Sequence, residues 1–177
     1  MTISLSVTAD SNSLAVTAGA AVYGGGMTSS QTHPLSSDWQ DPATIDRMLD
    51  EAQTWAVVGL SGDPGRTAYS IASLLQERGK RIVPVHPVFA DPGAPAVLGE
   101  QGYATLADVP VPIDVVDVFR RSDAAGEFAD QAVAVGAGGV WFQLGVIDQE
   151  AFDRTTAAGV PMVMDTCPAI EWSRRRR

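Results

Sequence analysis

The chain has one cysteine, Cys167, among 177 residues. That excludes an internal disulfide and any cysteine-rich zinc site, and it fits a reducing compartment. Cations are scarce: 12 Lys and Arg stand against 21 Asp and Glu, a formal net charge of −9. Nucleic acids and anionic membranes need clustered Lys and Arg, so neither is an expected partner. The one basic cluster, residues 174–177, ends the chain, where a solvated, frayed tail is expected. No run approaches the ~18 apolar residues of a membrane span. The first Lys or Arg is Arg47, so no basic segment precedes the weak apolar run at 14–22, as a signal peptide would require. A cytoplasmic protein is expected.

Apolar residues make up 45% of the chain and charged residues 19%. At this length they suit one compact domain with a full core. Residues 1–40 are rich in Ser, Thr, Gly and Ala and read as a flexible extension. Within it the alternating residues 3–7 have the pattern of an edge strand, and Met27 is an alternative start. The domain proper is expected over residues 41–173, with residues 174–177 as the basic tail.

From Asp41 onward strands and helices alternate. Asp41 suits an N-cap and Pro42 a first helical position, opening a helix to about Ala52. Residues 55–60 form a continuous apolar run, the mark of a strand buried on both faces. Ala68, Ile71, Ala72 and Leu75 make one helical stripe, and Gly79 supplies a stop. Residues 81–85 form a second strand, and a long Pro- and Gly-containing connection leads to a short helical turn within 103–110. Strands at 113–119, 139–142 and 160–164 are separated by two helices. The first is capped by Ser122 and carries Phe128, Ala132 and Val135 on one side; the second spans 148–158. This rhythm predicts an α/β fold: a Rossmann-like, doubly wound, mainly parallel five-stranded sheet with helices on both faces. A strand order of 3-2-1-4-5 in chain order would set the first strand beside the fourth.

In such sheets ligands sit beyond the carboxyl ends of the strands, where strand order reverses. The loop after the first strand reads Gly59-Leu60-Ser61-Gly62-Asp63-Pro64-Gly65-Arg66, and it would face Gln143-Leu144-Gly145. Gly59 permits a tight turn off the strand, Ser61 offers a hydroxyl, and the amides where the helix opens at Thr67 attract an anion. Arg66 opposes the dipole of that helix, which a bound phosphate would explain. The pattern G-x-S-G-x-x-G departs from the dinucleotide fingerprint. The second strand ends in His86-Pro87 rather than in the acid that receives the ribose hydroxyls of NAD. NAD is therefore disfavoured, and a phosphorylated ribose suits His86 better.

Five blocks carry a family resemblance: "AVVGLSGDPGRTAYSIASLL", "RIVPVHP", "ADVPVPIDVVDVFRRSD", "VWFQLGVID" and "VMDTC". From about Asp41 to Glu171 the chain resembles the small bacterial CoA-binding domain proteins, which are related to the CoA-binding domain of the succinyl-CoA synthetase α-subunit. The resemblance implies a Rossmann-like domain that binds coenzyme A or acyl-CoA through its phosphorylated ADP half. Gly59, Leu60, Ser61, Arg66 and Thr67 would then cradle the pyrophosphate. His86, beside Pro87, stands where the family more often shows Asn. Phe119, Arg120 and Arg121 match a "V-F-R-R" block that would wall the nucleotide and pantetheine track, and Gln143 and Gly145 match "Q-L-G" opposite.

Three roles are open. One is a CoA-binding or regulatory module without turnover, acting alone, as a homo-oligomer or with a protein partner. Another is an enzyme, either an NAD(P)-binding oxidoreductase or a partner-dependent acyl-CoA synthetase-like subunit. The third is a redox-responsive scaffold using Cys167, although a small buried thiol is the plainer reading of that residue. No catalytic or metal-binding residues are assigned. Trp55, Trp141 and Phe142 are read as core, and of Asp114 and Asp117, both in the third strand, one is expected to cap neighbouring backbone.

Overall fold

The computed structural model describes residues 36–175, so the strand pattern at 3–7, Met27 and His33 lie outside the described residues. The elements in chain order are α1 (Ser36–Trp39), α2 (Pro42–Glu51), β1 (Thr54–Val58), α3 (Thr67–Glu77), β2 (Arg81–Val85), β3 (Val115–Val118), α4 (Ser122–Ala134), β4 (Val140–Phe142), α5 (Gln149–Ala157), β5 (Met162–Val163) and α6 (Pro168–Arg175). The strands form one sheet with every neighbouring pair parallel. Each strand is short and almost wholly apolar, as burial on both faces requires.

Alternation along the strands feeds two cores. Trp55, Val57, Val115 and Trp141 point to one face, where Ile45, Met48 and Leu49 of α2, the stripe of α3 and Trp172 of α6 cover them. Ala56, Val58, Val116, Val118 and Phe142 point to the other, under Ala125, Ala129 and Ala132 of α4 and Ala151 of α5. Of the expected seam of α4, Ala132 is buried and Phe128 packs against this core, whereas Val135 is exposed; Ala125, Ala129 and Ala132, at i, i+4 and i+7, form its fully buried line. Small side chains let the helix lie close to the sheet.

The strand order is β2-β1-β3-β4-β5, so β1 lies beside β3, not beside the strand at 140–142. The physical reason is at Tyr103. Its N–H donates to Pro84 O (2.9 Å) and its carbonyl accepts from His86 N–H (3.0 Å), a single parallel bridge on the outer edge of β2. That bridge fills the place of a third Rossmann strand. Counted as the third strand, it makes the order across the sheet 3-2-1-4-5-6, and the reversal falls between β1 and β3.

Capping is local. Asp41 accepts the N–H and hydroxyl of Thr44 (2.8 and 2.7 Å), and Asp148 accepts Ala151 N–H (2.9 Å). Asp114 Oδ2 accepts both Gln53 N–H and Thr54 N–H (2.8 Å each) and ties the entry to β1. Ser122 does not cap α4. It is the first helical residue, and its hydroxyl accepts Ile147 N–H (2.9 Å) instead.

Both ends of the ordered body differ from expectation. Trp39 and Gln40, assigned to the extension, bond to it: Trp39 Nε1 donates to Gln149 (2.9 Å) and Gln40 Nε2 to Asp165 O (2.8 Å). Arg174 and Arg175, assigned to the tail, belong to α6. Arg174 pairs with Glu171 (2.6 Å), and Arg175 pairs with Asp46 and, at 2.7 Å, Asp50 of α2. Two helices that cover the same face are thus joined by charge. Among the described residues no helix is long and apolar enough to cross a membrane.

Candidate functional site

A cavity of about 940 Å³ opens at the carboxyl ends of the strands, over the reversal between β1 and β3. Of the residues expected there, Gly59, Arg66, Thr67, His86, Phe119, Arg120, Arg121, Gln143 and Gly145 line it. Leu60 is turned into the core, Ser61 is half-buried and Pro87 is exposed at the start of a 3-10 turn; none of the three is in the lining. Because β3 intervenes, the loop after β1 faces Phe119-Arg120-Arg121 directly and Gln143-Gly145 across one further strand.

The loop after β1 is shaped by its backbone. Gly59 has φ +98°, and a Cβ there would lie 2.8 Å from Phe119 O, so the two loops approach as closely as glycine permits. Gly59 N–H also donates to Val85 O (2.9 Å), joining the ends of β1 and β2. Asp63 Oδ1 accepts Gly65 N–H (2.9 Å), closing the turn that delivers Arg66 to the start of α3. Arg66 occupies the N-cap, and no side chain caps the helix. Thr67 and Ala68, which open α3, line the cavity at the positive end of the helix dipole, while Tyr69 N–H already donates to Arg66 O (3.0 Å).

Three guanidinium groups surround this opening. Those of Arg66 and Arg121 are largely exposed, each with only a surface carboxylate beside it: Asp63 at 3.9 Å and Asp123 at 3.1 Å. Arg120 stacks over the Phe128 ring at 5.6 Å. His86 Nδ1 accepts Val88 N–H (3.1 Å), which leaves Nε2 as the protonated ring nitrogen. Burial, followed by the charges of Arg120 and Arg66, lowers the pKa of His86, so the ring is neutral at pH 7. Among the described residues that line the cavity, none is acidic. In a chain of net charge −9 this lining is locally cationic.

The opposite end of the cavity is different. Leu144, Val146, Ala124 and Ile170 line it with Gln143 and the buried Cys167. Gly145, at φ +79°, donates its N–H to Asp165 Oδ1 (2.8 Å), which fixes the loop after β4 against the chain leaving β5. Burial raises the Cys167 thiol above its usual pKa, so at neutral pH it is a protonated thiol rather than a nucleophile. Val146, Ala124 and Ile170 escaped the sequence reading. The signal for Ile170 was Pro168 directly after Cys167, a residue suited to opening a helix.

Asp117 of β3 lies beneath Gln143. It is wholly buried; its Oδ1 accepts Gln143 Nε2 at 2.6 Å and its Oδ2 has no partner. Burial pushes its pKa up to about 7. Among the described residues no group of His, Cys, Asp and Glu is arranged to hold a metal.

Comparison with known proteins gives a consistent result. Residues 53–173 match the family model described as CoA binding domain. The protein YneT of Bacillus subtilis (strain 168) is 33% identical over 125 residues, 71% of this chain and 89% of that one. A solved hypothetical protein from Pyrococcus horikoshii OT3 is 32% identical and superposes with a TM-score of 0.69, covering 81% of this chain and 96% of that one. The dinucleotide-forming acetyl-coenzyme A synthetase 1 of Ca. Korarchaeum cryptofilum shares the fold: TM-score 0.54, 23% identity, 66% of this chain and 26% of that one. On the family match and these identities, the chain belongs to the family of CoA-binding domains.

Proposed function

We propose that this chain binds coenzyme A or an acyl-CoA by its phosphorylated ADP half and acts as a binding or regulatory module without turnover of its own. One observation carries the reading: three arginines and an uncapped helix N-terminus meet in a cavity whose lining holds no acid. The pyrophosphate would lie on the opening amides of α3 with Arg66 and Thr67 beside it. The phosphorylated ribose would lie at the end of β2, by His86 and Arg120. A carboxylate at that position would select the free ribose of NAD, and none lines the cavity. The titratable groups of the lining are a neutral imidazole and a protonated thiol, which suit a holding site better than a reaction centre.

Thermal melts with added nucleotides test this. CoA at about 100 times its Kd adds roughly 2.7 kcal/mol of stability, a rise of roughly 5–10 °C for a domain of this size. NAD at the same concentration is expected to give a much smaller rise, and equal shifts would refute the assignment. Arg66→Ala is expected to weaken CoA binding by about 1.5–3 kcal/mol, the worth of a hydrogen bond to a charged group. Calorimetric titration of that variant reads the loss directly, and unchanged affinity would remove Arg66 from the site.

A further inference from the structure

We propose that Asp117, acting through Gln143, sets whether the inner end of the cavity offers a hydrogen-bond acceptor or a donor, and so whether it favours a free thiol or an acyl thioester. The inference rests on the CoA reading above and specifies which form of the ligand is held.

The placement follows from the topology. With the pyrophosphate on α3 and the ribose at the end of β2, the ADP half covers the ends of β1 and β2. The rest of the ligand must run the other way, across β3 toward the loops after β4 and β5. There the lining is apolar apart from Gln143 and the neutral thiol of Cys167. Gln143 is therefore the strong hydrogen-bonding side chain that a thiol or thioester would meet.

Gln143 is 5% exposed, and one end of its amide is taken by Asp117. An ionised carboxylate only accepts. It holds the amide by its NH₂ group, at 2.6 Å, which leaves the carbonyl oxygen as the end of this lining side chain open to a ligand. That oxygen takes an S–H and opposes a thioester carbonyl. A protonated Asp117 has one O–H to give, and the acceptor available is Gln143 Oε1. The amide then turns over and presents its NH₂ to the cavity, where it donates to a thioester carbonyl.

Two observations make both states accessible. Asp117 sits between Val57 and Trp141 in the sheet register, and its Oδ2 lacks any partner. A carboxylate so poorly solvated titrates near neutrality, at about 7. Of the other ionisable groups on this face, Cys167 stays protonated, and Glu171 is engaged by the Thr166 hydroxyl (2.5 Å) and by Arg174 (2.6 Å). His86 also titrates, but it serves the half common to both ligands and cancels in their ratio. Asp117 is a positioning residue; Gln143 makes the contact.

The test is calorimetric titration of the full chain with CoA and with acetyl-CoA at about pH 6 and about pH 8. The ratio Kd(acetyl-CoA)/Kd(CoA) is expected to rise roughly tenfold with pH, since a mismatched buried pair costs on the order of a tenfold change in binding. Asp117→Asn is expected to bind both ligands at a ratio independent of pH. A constant ratio in the parent protein overturns this inference and leaves the CoA assignment standing, as does a variant that keeps the parent's rise. Failure of both ligands to bind at either pH overturns the two together.

Discussion

Asp117→Asn is expected to melt roughly 6 °C above the parent at pH 8 and no higher than the parent at pH 4. The carboxyl titrates near 3.8 in the unfolded chain and near 7 in the folded one, because burial strips its water and Gln143 returns a single hydrogen bond. Between those values the folded state binds the extra proton. Stability therefore falls as pH rises from about 4 to about 7 and is level beyond. The three intervening units correspond to about 4 kcal/mol. An Asn amide is neutral throughout but leaves a buried N–H unpaired, which returns about 1–2 kcal/mol of the gain. The net is about 2 kcal/mol at pH 8, or roughly 6 °C. Urea melts of both proteins at pH 4, 6 and 8 check it, and two parallel stability curves would show that Asp117 is not the group responsible.

Gly59→Ala should do the largest damage at the phosphate end. The methyl group meets Phe119 O at 2.8 Å and Phe119 Cβ at 3.3 Å while the backbone stays at φ +98°. Backbone strain of that kind costs about 1–3 kcal/mol, and the clash is with main chain, which cannot rotate away. A loss of about 3 kcal/mol in urea denaturation is expected. Calorimetry on the folded fraction should also show weaker CoA binding, because relief requires the Phe119-Arg120 segment to withdraw from the cavity. Ala at this position with unaltered stability would mean that the two loops do not approach as described.

Much of this architecture can be read from residues. Continuous apolar runs marked β1 and β2, Asp41-Pro42 opened α2, and Gly79 ended the turn after α3, since each rests on local backbone chemistry. The cavity lining was legible for the same reason: nine of the twelve named positions lie at strand ends or a helix start, and these are where α/β sheets bind ligands. Strand order was not legible, because the deciding element is one residue, Tyr103, and a single bridge has no periodicity. The seam of α4 was legible in part: Phe128 and Ala132 meet the core, but Val135 outweighs Ala125 and Ala129 in hydropathy although it is exposed and they are buried. Asp117 stood out as an oddity within an apolar strand. Its partner Gln143 lies 26 residues on, and only register places it alongside.

The single bridge at Tyr103 has a consequence for how the molecule behaves in company. An open strand edge invites another chain to extend the sheet. Along the outer side of β2, Tyr103 takes up the carbonyl of Pro84 and the amide of His86, and Pro84 itself has no N–H to offer. The far margin, β5, is two residues long. Among the described residues neither border gives a neighbouring copy a long ladder to join, so crowding should not drive these domains into sheet-extended polymers, and a tyrosine with a proline achieves this without the length of a sixth strand.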